Sequence, residues 1–83
     1  MPNIAIIGAS RGIGLEFVRQ YAADGWRVYA TTRTPDSPGA LGKTRGDIRI
    51  HHLDVRSDTH IARFADVLSK VALDVLVHNA GVL

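Results

Sequence analysis

The hydrophobic positions of this chain form two kinds of pattern that alternate along its length. Four short apolar or β-branched runs have the length and composition of buried strands, at residues 4–7, 27–32, 48–53 and 75–77. Between the first two runs, and again between the last two, apolar residues recur at helical spacing. The alternation predicts an α/β protein with a parallel sheet, in which each right-handed crossover carries a helix.

The two helices are predicted from their apolar stripes and their end signals. The first runs from about Gly12 to Asp24 before a stop at Gly25, and its buried stripe consists of Ile13, Leu15, Phe17, Val18, Tyr21 and Ala22. Ser57 can cap the second helix, whose buried face would contain Ile61, Phe64, Ala65, Leu68 and Ala72. Residues 34–47 are rich in Pro, Gly, Ser, Thr and charge, which predicts a loop with room for one helical turn.

A glycine-rich segment, Gly8-Ala9-Ser10-Arg11-Gly12-Ile13-Gly14, joins the first strand to the first helix. Its glycines allow a tight reversal, and the free amides of the helix's first turn would attract a phosphate group. Glycines also occur in turns for purely conformational reasons, so the loop alone leaves both interpretations open. Its spacing of three residues and then one differs from G-x-G-x-x-G.

Three motifs in order give the chain a family resemblance. The glycine segment is similar to T-G-x-x-x-G-x-G, with Ile7 in place of Thr, and Leu53-Asp54-Val55 and His78-Asn79-Ala80-Gly81 follow at suitable distances. Together they resemble the short-chain dehydrogenases/reductases. The residues around them, Arg11–Tyr21, Gly25-Trp26 and Ala30–Pro35, are similar to the branch of C-factor-like and carbonyl-reductase-like enzymes. The resemblance implies the first part of a doubly wound Rossmann-type fold, a sheet in the order 3-2-1-4 with helices on both faces. Residues 1–83 would form one partial domain.

The resemblance also implies which residues bind a dinucleotide, because each marked group follows a strand at its carboxyl end. Asp54 would accept a hydrogen bond from the adenine amino group, while the backbone of Val55 would recognise the adenine ring. Asn79 would mainly tie the sheet together, with Ala80 and Gly81 passing close to the ribose. Asp54 could instead be a turn residue or a helix cap. The expected cofactor-binding residues are Gly8, Ser10, Arg11, Gly12, Ile13, Gly14, Arg33, Asp54, Val55, Asn79, Ala80 and Gly81.

The cofactor prediction depends on the end of the second strand, where NAD enzymes place a carboxylate and NADP enzymes a basic residue. Here the strand ends in Thr31-Thr32-Arg33, and Asp36 lies beyond Pro35, where a turn is the simpler interpretation. Arg11 can approach the same phosphate, and guanidinium groups suit bidentate phosphate binding. Each arginine alone would be an ordinary surface charge. Their joint placement predicts NADP(H) in preference to NAD(H).

The family's catalytic Ser and Tyr-x-x-x-Lys would lie beyond Leu83, so the resemblance covers the cofactor half of an oxidoreductase acting on a carbonyl or alcohol. Two alternatives stay open: a dinucleotide-binding module without turnover, and an interaction protein that uses an exposed sheet edge. Val75, Leu76 and Val77 form an apolar strand with no proline or charge to deter pairing. We therefore expect self-association through this strand, and so a homo-oligomer.

The composition of the chain argues against several other classes of protein and of functional site. The chain has no cysteine, which excludes disulfides and thiol catalysis, and its net charge of +2 is too scattered to indicate nucleic-acid binding. No apolar run is long enough to span a membrane, which predicts a soluble, cytoplasmic protein. His51 and His52 are adjacent on a strand and would point to opposite faces, so we expect no metal site. His78 is expected to be a buried ring bonded to the backbone.

Overall fold

Residues 2–79, which the computed structural model describes, form a parallel sheet with helices on both faces. The strands are β1 (Asn3–Ile7), β2 (Arg27–Thr32), β3 (Ile48–His52) and β4 (Val75–His78). The helices are α1 (Gly12–Ala23), α2 (Asp58–Ser69) and a short 3₁₀ helix, Gly39–Lys43. The strand order is β3-β2-β1-β4, which confirms the predicted topology. Within this described part, neither α-helix is long and apolar enough to cross a membrane.

Strand β1 is the centre of the sheet because it pairs with β2 on one side and β4 on the other. Ile4 lies opposite Val28 and Val75 in register. Ile4 and Ile6 pack into the core under α1, whereas Ala5 belongs to the core under α2. All three are completely buried. The continuous apolar run in the sequence therefore reflects a strand that is covered on both faces.

The core under α1 contains Leu15, Val18 and Ala22 from the helix, packed against the isoleucines of β1 and against Val28 and Ala30 of β2. The 3₁₀ helix adds Leu41, which is 1% exposed. The sequence predicts a loop with room for one helical turn at residues 34–47, and this short helix lies there, with Leu41 packed into the core. Ile13 departs from the prediction, because in the first turn of α1 it is 68% exposed.

The core under α2 is built on Phe64, with Tyr29 and Leu53 from the sheet side and Val67, Leu68 and Val71 at its margin. The predicted cap is confirmed, because the Ser57 side chain accepts a hydrogen bond from the His60 amide at 3.2 Å. The predicted buried face is only partly right. Ile61 and Ala65 are exposed, and so is Ala72, which lies beyond the end of α2. The helix turns Phe64, Val67 and Leu68 towards the sheet, and Val71 packs against the same core from the segment that follows.

The prediction of a buried, hydrogen-bonded His78 is wrong. His78 ends β4, which is an edge strand of the described sheet, and its side chain is exposed. On the same strand Leu76 is 55% exposed. Alternating exposure along β4 follows from the strand's period of two, because one of its faces lacks a cover within the described residues.

Candidate functional site

The loops that follow the four strands meet at the carboxyl edge of the sheet and enclose an open cleft of about 950 Å³. Of the expected cofactor-binding residues, this cleft brings together Gly8, Ser10, Arg11, Gly12, Ile13, Arg33, Asp54, Val55 and Asn79. Gly14 is buried below it in α1, and Ala80 and Gly81 lie outside the described residues. Carboxyl ends of parallel strands share one edge, so residues far apart in sequence become neighbours there.

The glycine loop adopts a backbone that side chains would strain. Gly8 and Gly12 have positive φ angles of 84° and 61°, in the region that favours glycine. Two hydrogen bonds fix the start of the loop to the end of β2: the Gly8 amide donates to Thr31 Oγ1 at 3.0 Å, and the Ala9 amide donates to the Thr31 carbonyl at 2.9 Å. Thr31 thereby positions the loop, a role that its sequence position alone did not predict.

Position 14 has no room for a side chain. A Cβ atom there would overlap the Gly8 carbonyl oxygen and lie 2.7 Å from Asn79 Nδ2. Asn79 ties the same region to the sheet, since its side-chain amide donates to the Gly8 carbonyl at 3.2 Å and its backbone amide donates to Ile7 at 2.9 Å. These bonds agree with the sheet-tying role predicted for Asn79. The absence of a Cβ atom at Gly14 lets α1 approach β1 closely.

The amino end of α1 is open to the cleft. Arg11 occupies the N-cap position with extended backbone angles, φ −159° and ψ 171°, but its side chain makes no capping hydrogen bond. The first turn also contains no acidic residue, whereas α2 has both the Ser57 cap and Asp58. An uncapped helix end keeps free amides and a partial positive charge, which suits an anionic ligand.

Asp54 is held by Arg56, two residues further along the chain. Arg56 donates three hydrogen bonds to the Asp54 carboxylate: from its backbone amide to Oδ1 at 2.9 Å, from Nε to Oδ1 at 3.1 Å, and from Nη2 to Oδ2 at 2.8 Å. These bonds, with a smaller contribution from the charge of Arg33, hold the pKa of Asp54 far below its ordinary range. Asp54 is thus an ionised acceptor, and the capping of α2 is left to Ser57.

Sequence reasoning missed several residues of the cleft, namely Thr32, Thr34, Leu53 and Arg56. Arg56 carries a signal that could have been used: a basic residue two positions after a strand-end aspartate can form a local carboxylate clamp. Thr32 Oγ1 accepts a hydrogen bond from the Thr34 amide at 3.2 Å and so turns the chain after β2. Asp36 does not line the cleft.

His51 and His52 lie on the outer strand β3 and His60 lies in the first turn of α2, and none of the three lines the cleft. The His51 ring stacks on Tyr29 with centroids 6.0 Å apart, and the His52 ring lies 4.2 Å from that of His60. The side chains at residues 2–79 contain no group of three His, Cys, Asp or Glu placed to hold a metal ion. His60 Nδ1 instead accepts a hydrogen bond from the Asp54 amide at 3.1 Å.

A parallel sheet in the order β3-β2-β1-β4, with a glycine loop over its carboxyl edge, defines the first part of a Rossmann-type fold. A family model described as short chain dehydrogenase matches residues 2–83. The chain belongs to this family.

Individual relatives agree with the family match. A short-chain dehydrogenase, cctT, of Talaromyces islandicus is 37% identical over 86 residues, which span 99% of this chain and 30% of that protein. A carbonyl reductase from Pseudomonas aeruginosa, solved in complex with NADP, superposes with a TM-score of 0.86 at 29% identity, over 99% of this chain and 39% of its own.

A short-chain dehydrogenase/reductase from Burkholderia multivorans with bound NADP gives a TM-score of 0.86 at 32% identity, over 96% of this chain and 36% of that one. The chain therefore spans about a third of the length of the relatives that it matches.

Proposed function

We propose that this chain forms the NADP(H)-binding part of an oxidoreductase that moves hydride between the nicotinamide and a carbonyl or alcohol. The observation that carries the proposal is the cleft at the carboxyl edge, where the glycine loop, Arg33 and the Asp54 loop face one another. Solved relatives of the same fold hold NADP, which supports the choice of ligand.

Each group of the cleft suits one part of a dinucleotide. The free amides at the start of α1 would bind the pyrophosphate, and the absence of a Cβ at Gly14 keeps that helix end close to β1. Asp54 would accept from the adenine amino group, beside the Val55 backbone. Asn79 would hold the glycine loop in place, with Ala80 and Gly81 proposed near the ribose. When bound, the cofactor supplies or receives the hydride.

The proposed preference for NADP(H) rests on the charge around the end of β2. Arg11 and Arg33 both line the cleft and both are exposed, so their guanidinium groups are available to a phosphate on the ribose 2′ position. The carboxylate that lines the cleft, Asp54, is engaged by Arg56. NAD(H) would lack the phosphate that these arginines can bind.

A titration of both reduced cofactors tests the preference. NADPH should bind at least about tenfold more tightly than NADH, since hydrogen bonds to charged groups contribute roughly 1.5 to 3 kcal/mol. Arg33→Asp should shrink or reverse the difference. Arg19→Asp, on the exposed face of α1 outside the cleft, makes the same charge change and should leave the difference intact. Equal affinities of the wild type for the two cofactors would overturn the preference.

A second candidate function is a binding module without turnover, and the two tyrosines favour it for the 83 residues taken alone. Tyr29 is 5% exposed inside the α2-side core, and Tyr21 packs against Trp26 with ring centroids 4.8 Å apart. Neither is followed four residues later by Lys, because Gly25 and Arg33 occupy those positions. Carbonyl-dependent oxidation of NADPH by a polypeptide of these 83 residues, above a control without protein and lost on denaturation, would contradict this second candidate.

A further inference from the structure

Arg56 fixes the carboxylate of Asp54 in the cleft from two directions. The side chain forms a fork, with Nε on Oδ1 and Nη2 on Oδ2, and the Arg56 amide adds a second donor to Oδ1. The main chain of Asp54 is held as well, because its amide donates to His60 Nδ1 at 3.1 Å and its carbonyl accepts from the Ser57 amide at 2.9 Å. Asp54 therefore has little freedom to rotate.

The hydrogen bonds from Arg56 determine which oxygen of the Asp54 carboxylate is left to accept a hydrogen bond from a ligand. Each oxygen of an ionised carboxylate can accept about two hydrogen bonds. Among the described residues, Oδ1 receives the Arg56 amide and Nε, whereas Oδ2 receives only Nη2. One acceptor position on Oδ2 remains, and Asp54 lines the cleft. A fixed, ionised acceptor strengthens the binding of a ligand that places an N–H donor there and weakens the binding of one that places an oxygen there.

We infer that Arg56 is a positioning and specificity-determining residue: its fork on Asp54 makes the cleft select adenine, which carries a 6-amino group, over hypoxanthine, which carries an oxygen at that position. The inference rests on the proposed function. It assigns base selection to Arg56, while Arg11 and Arg33 provide the phosphate contacts. In this proposal Arg56 acts through Asp54, which is the group that meets the base.

Loss of the fork should weaken selection more than it weakens binding. Without Arg56, Asp54 can rotate and can be solvated, so the ligand no longer meets an acceptor in a fixed place. Lysine keeps the positive charge but cannot form the two parallel hydrogen bonds of a guanidinium group. If only the charge of Arg56 matters, Arg56→Lys should keep the selection of adenine over hypoxanthine. If the fork matters, Arg56→Lys should lose this selection.

The experiment measures dissociation constants of the purified protein for NADPH and for its hypoxanthine analogue. In the wild type the analogue should bind roughly tenfold or more weakly, the factor expected when a charge-assisted hydrogen bond is lost. Arg56→Ala and Arg56→Lys should both reduce this factor to about threefold or less, because neither retains the fork. Arg63→Ala, an exposed arginine on α2 that does not line the cleft, is the matched control and should keep the wild-type factor.

The ratio of NADPH to NADH affinity is the second readout, and it should stay within about twofold of wild type in Arg56→Ala, because the phosphate contacts are assigned elsewhere. Unchanged base selection in both Arg56 variants would overturn the inference while leaving the proposed function intact. A collapse of the NADPH to NADH ratio with base selection unchanged would also overturn it, by placing Arg56 on the phosphate. Failure of the wild type to bind NADPH would overturn the proposed function first.

A measurement on the cofactor-free protein covers the case in which a variant folds poorly. The carboxyl carbon of Asp54 can be followed by NMR through an acid titration of the wild type. Its pKa should lie far below the ordinary value, since the Arg56 side chain and amide both stabilise the ionised form. An ordinary pKa in the folded wild type would contradict the fork.

Discussion

At the scale of single residues, His51 occupies a place that suits an aromatic ring better than a charge. Its ring lies between Tyr29 and Phe64, at centroid distances of 6.0 and 5.5 Å. Its Nε2 atom is buried and has no hydrogen-bond partner within the described part of the chain. Burial, and secondly the charge of Arg49, lower the pKa of His51 below the ordinary 6.5. Folding therefore favours the neutral ring.

We predict that this residue makes the chain less stable in mild acid. The unfolded state binds a proton near pH 6.5 and the folded state only at lower pH, so the free energy of unfolding should fall as the pH drops below about 6.5. His51→Phe keeps the ring packing and should flatten that part of the profile. Urea unfolding at several pH values between about 5 and 8 checks this. Asp54 does not interfere in this range, because its pKa is lowered in the folded state and its contribution to the free energy of unfolding is lost only below about pH 4. An unchanged slope in the variant would contradict it.

At the scale of elements, the two α-helices differ in how they begin. Ser57 and Asp58 satisfy the amino end of α2, whereas α1 begins at Arg11 without a side-chain cap or an acidic first turn. A side-chain cap typically contributes about 0.5 to 2 kcal/mol, so α1 lacks stabilisation that α2 has. This difference between the helices agrees with the proposed function, because a capped end would compete with a bound phosphate.

Arg11→Asp should therefore separate stability from binding. The backbone at Arg11 already has extended cap geometry, so an aspartate can accept from the first-turn amides and should raise the free energy of unfolding by about 0.5 to 1 kcal/mol. The same carboxylate should weaken NADPH binding by at least about tenfold, through charge repulsion and occupied amides. Urea unfolding and titration measure the two effects on one sample. Retained affinity would contradict the proposed role of α1.

The elements were largely predictable because their signals are local. The continuous run in β1, the Ser57 cap and the strand-end positions of Asp54 and Asn79 all follow from periodicity and known end signals. Exposure was harder to predict, as Ile13 shows, because spacing identifies a stripe but not how much of it another element covers. His78 was misjudged for the same reason.

The cleft could be predicted only in part. Strand ends and the glycine spacing predict where a ligand lies, since both depend on topology. The Arg56 fork and the Thr31 bonds depend on side-chain geometry between a strand end and its loop, and neither leaves a periodic pattern in the sequence. These contacts became visible only in the fold.

For the molecule as a whole, the β4 edge of the described sheet is a surface open to association. β4 pairs with β1 on one side, and Leu76 on it is 55% exposed. We predict that a polypeptide of these 83 residues self-associates at micromolar concentration and that Leu76→Lys reduces this, because a charge deters edge pairing. Ala65→Lys, at an exposed position on α2, is the control. Sedimentation of a folded, monomeric wild type would contradict the prediction.

Mapping the contact surface of NADPH on the protein tests whether the carboxyl-edge cleft binds NADP(H). At 9.0 kDa the chain suits amide NMR, in which NADPH is added to a uniformly labelled sample. We predict that the largest shift changes fall on the Gly8–Gly14 loop, the residues around Arg33, the Asp54–Arg56 loop and Asn79, with little change at His51 and His52 on the outer strand. Changes centred on those histidines, or no saturable change at millimolar NADPH, would contradict it.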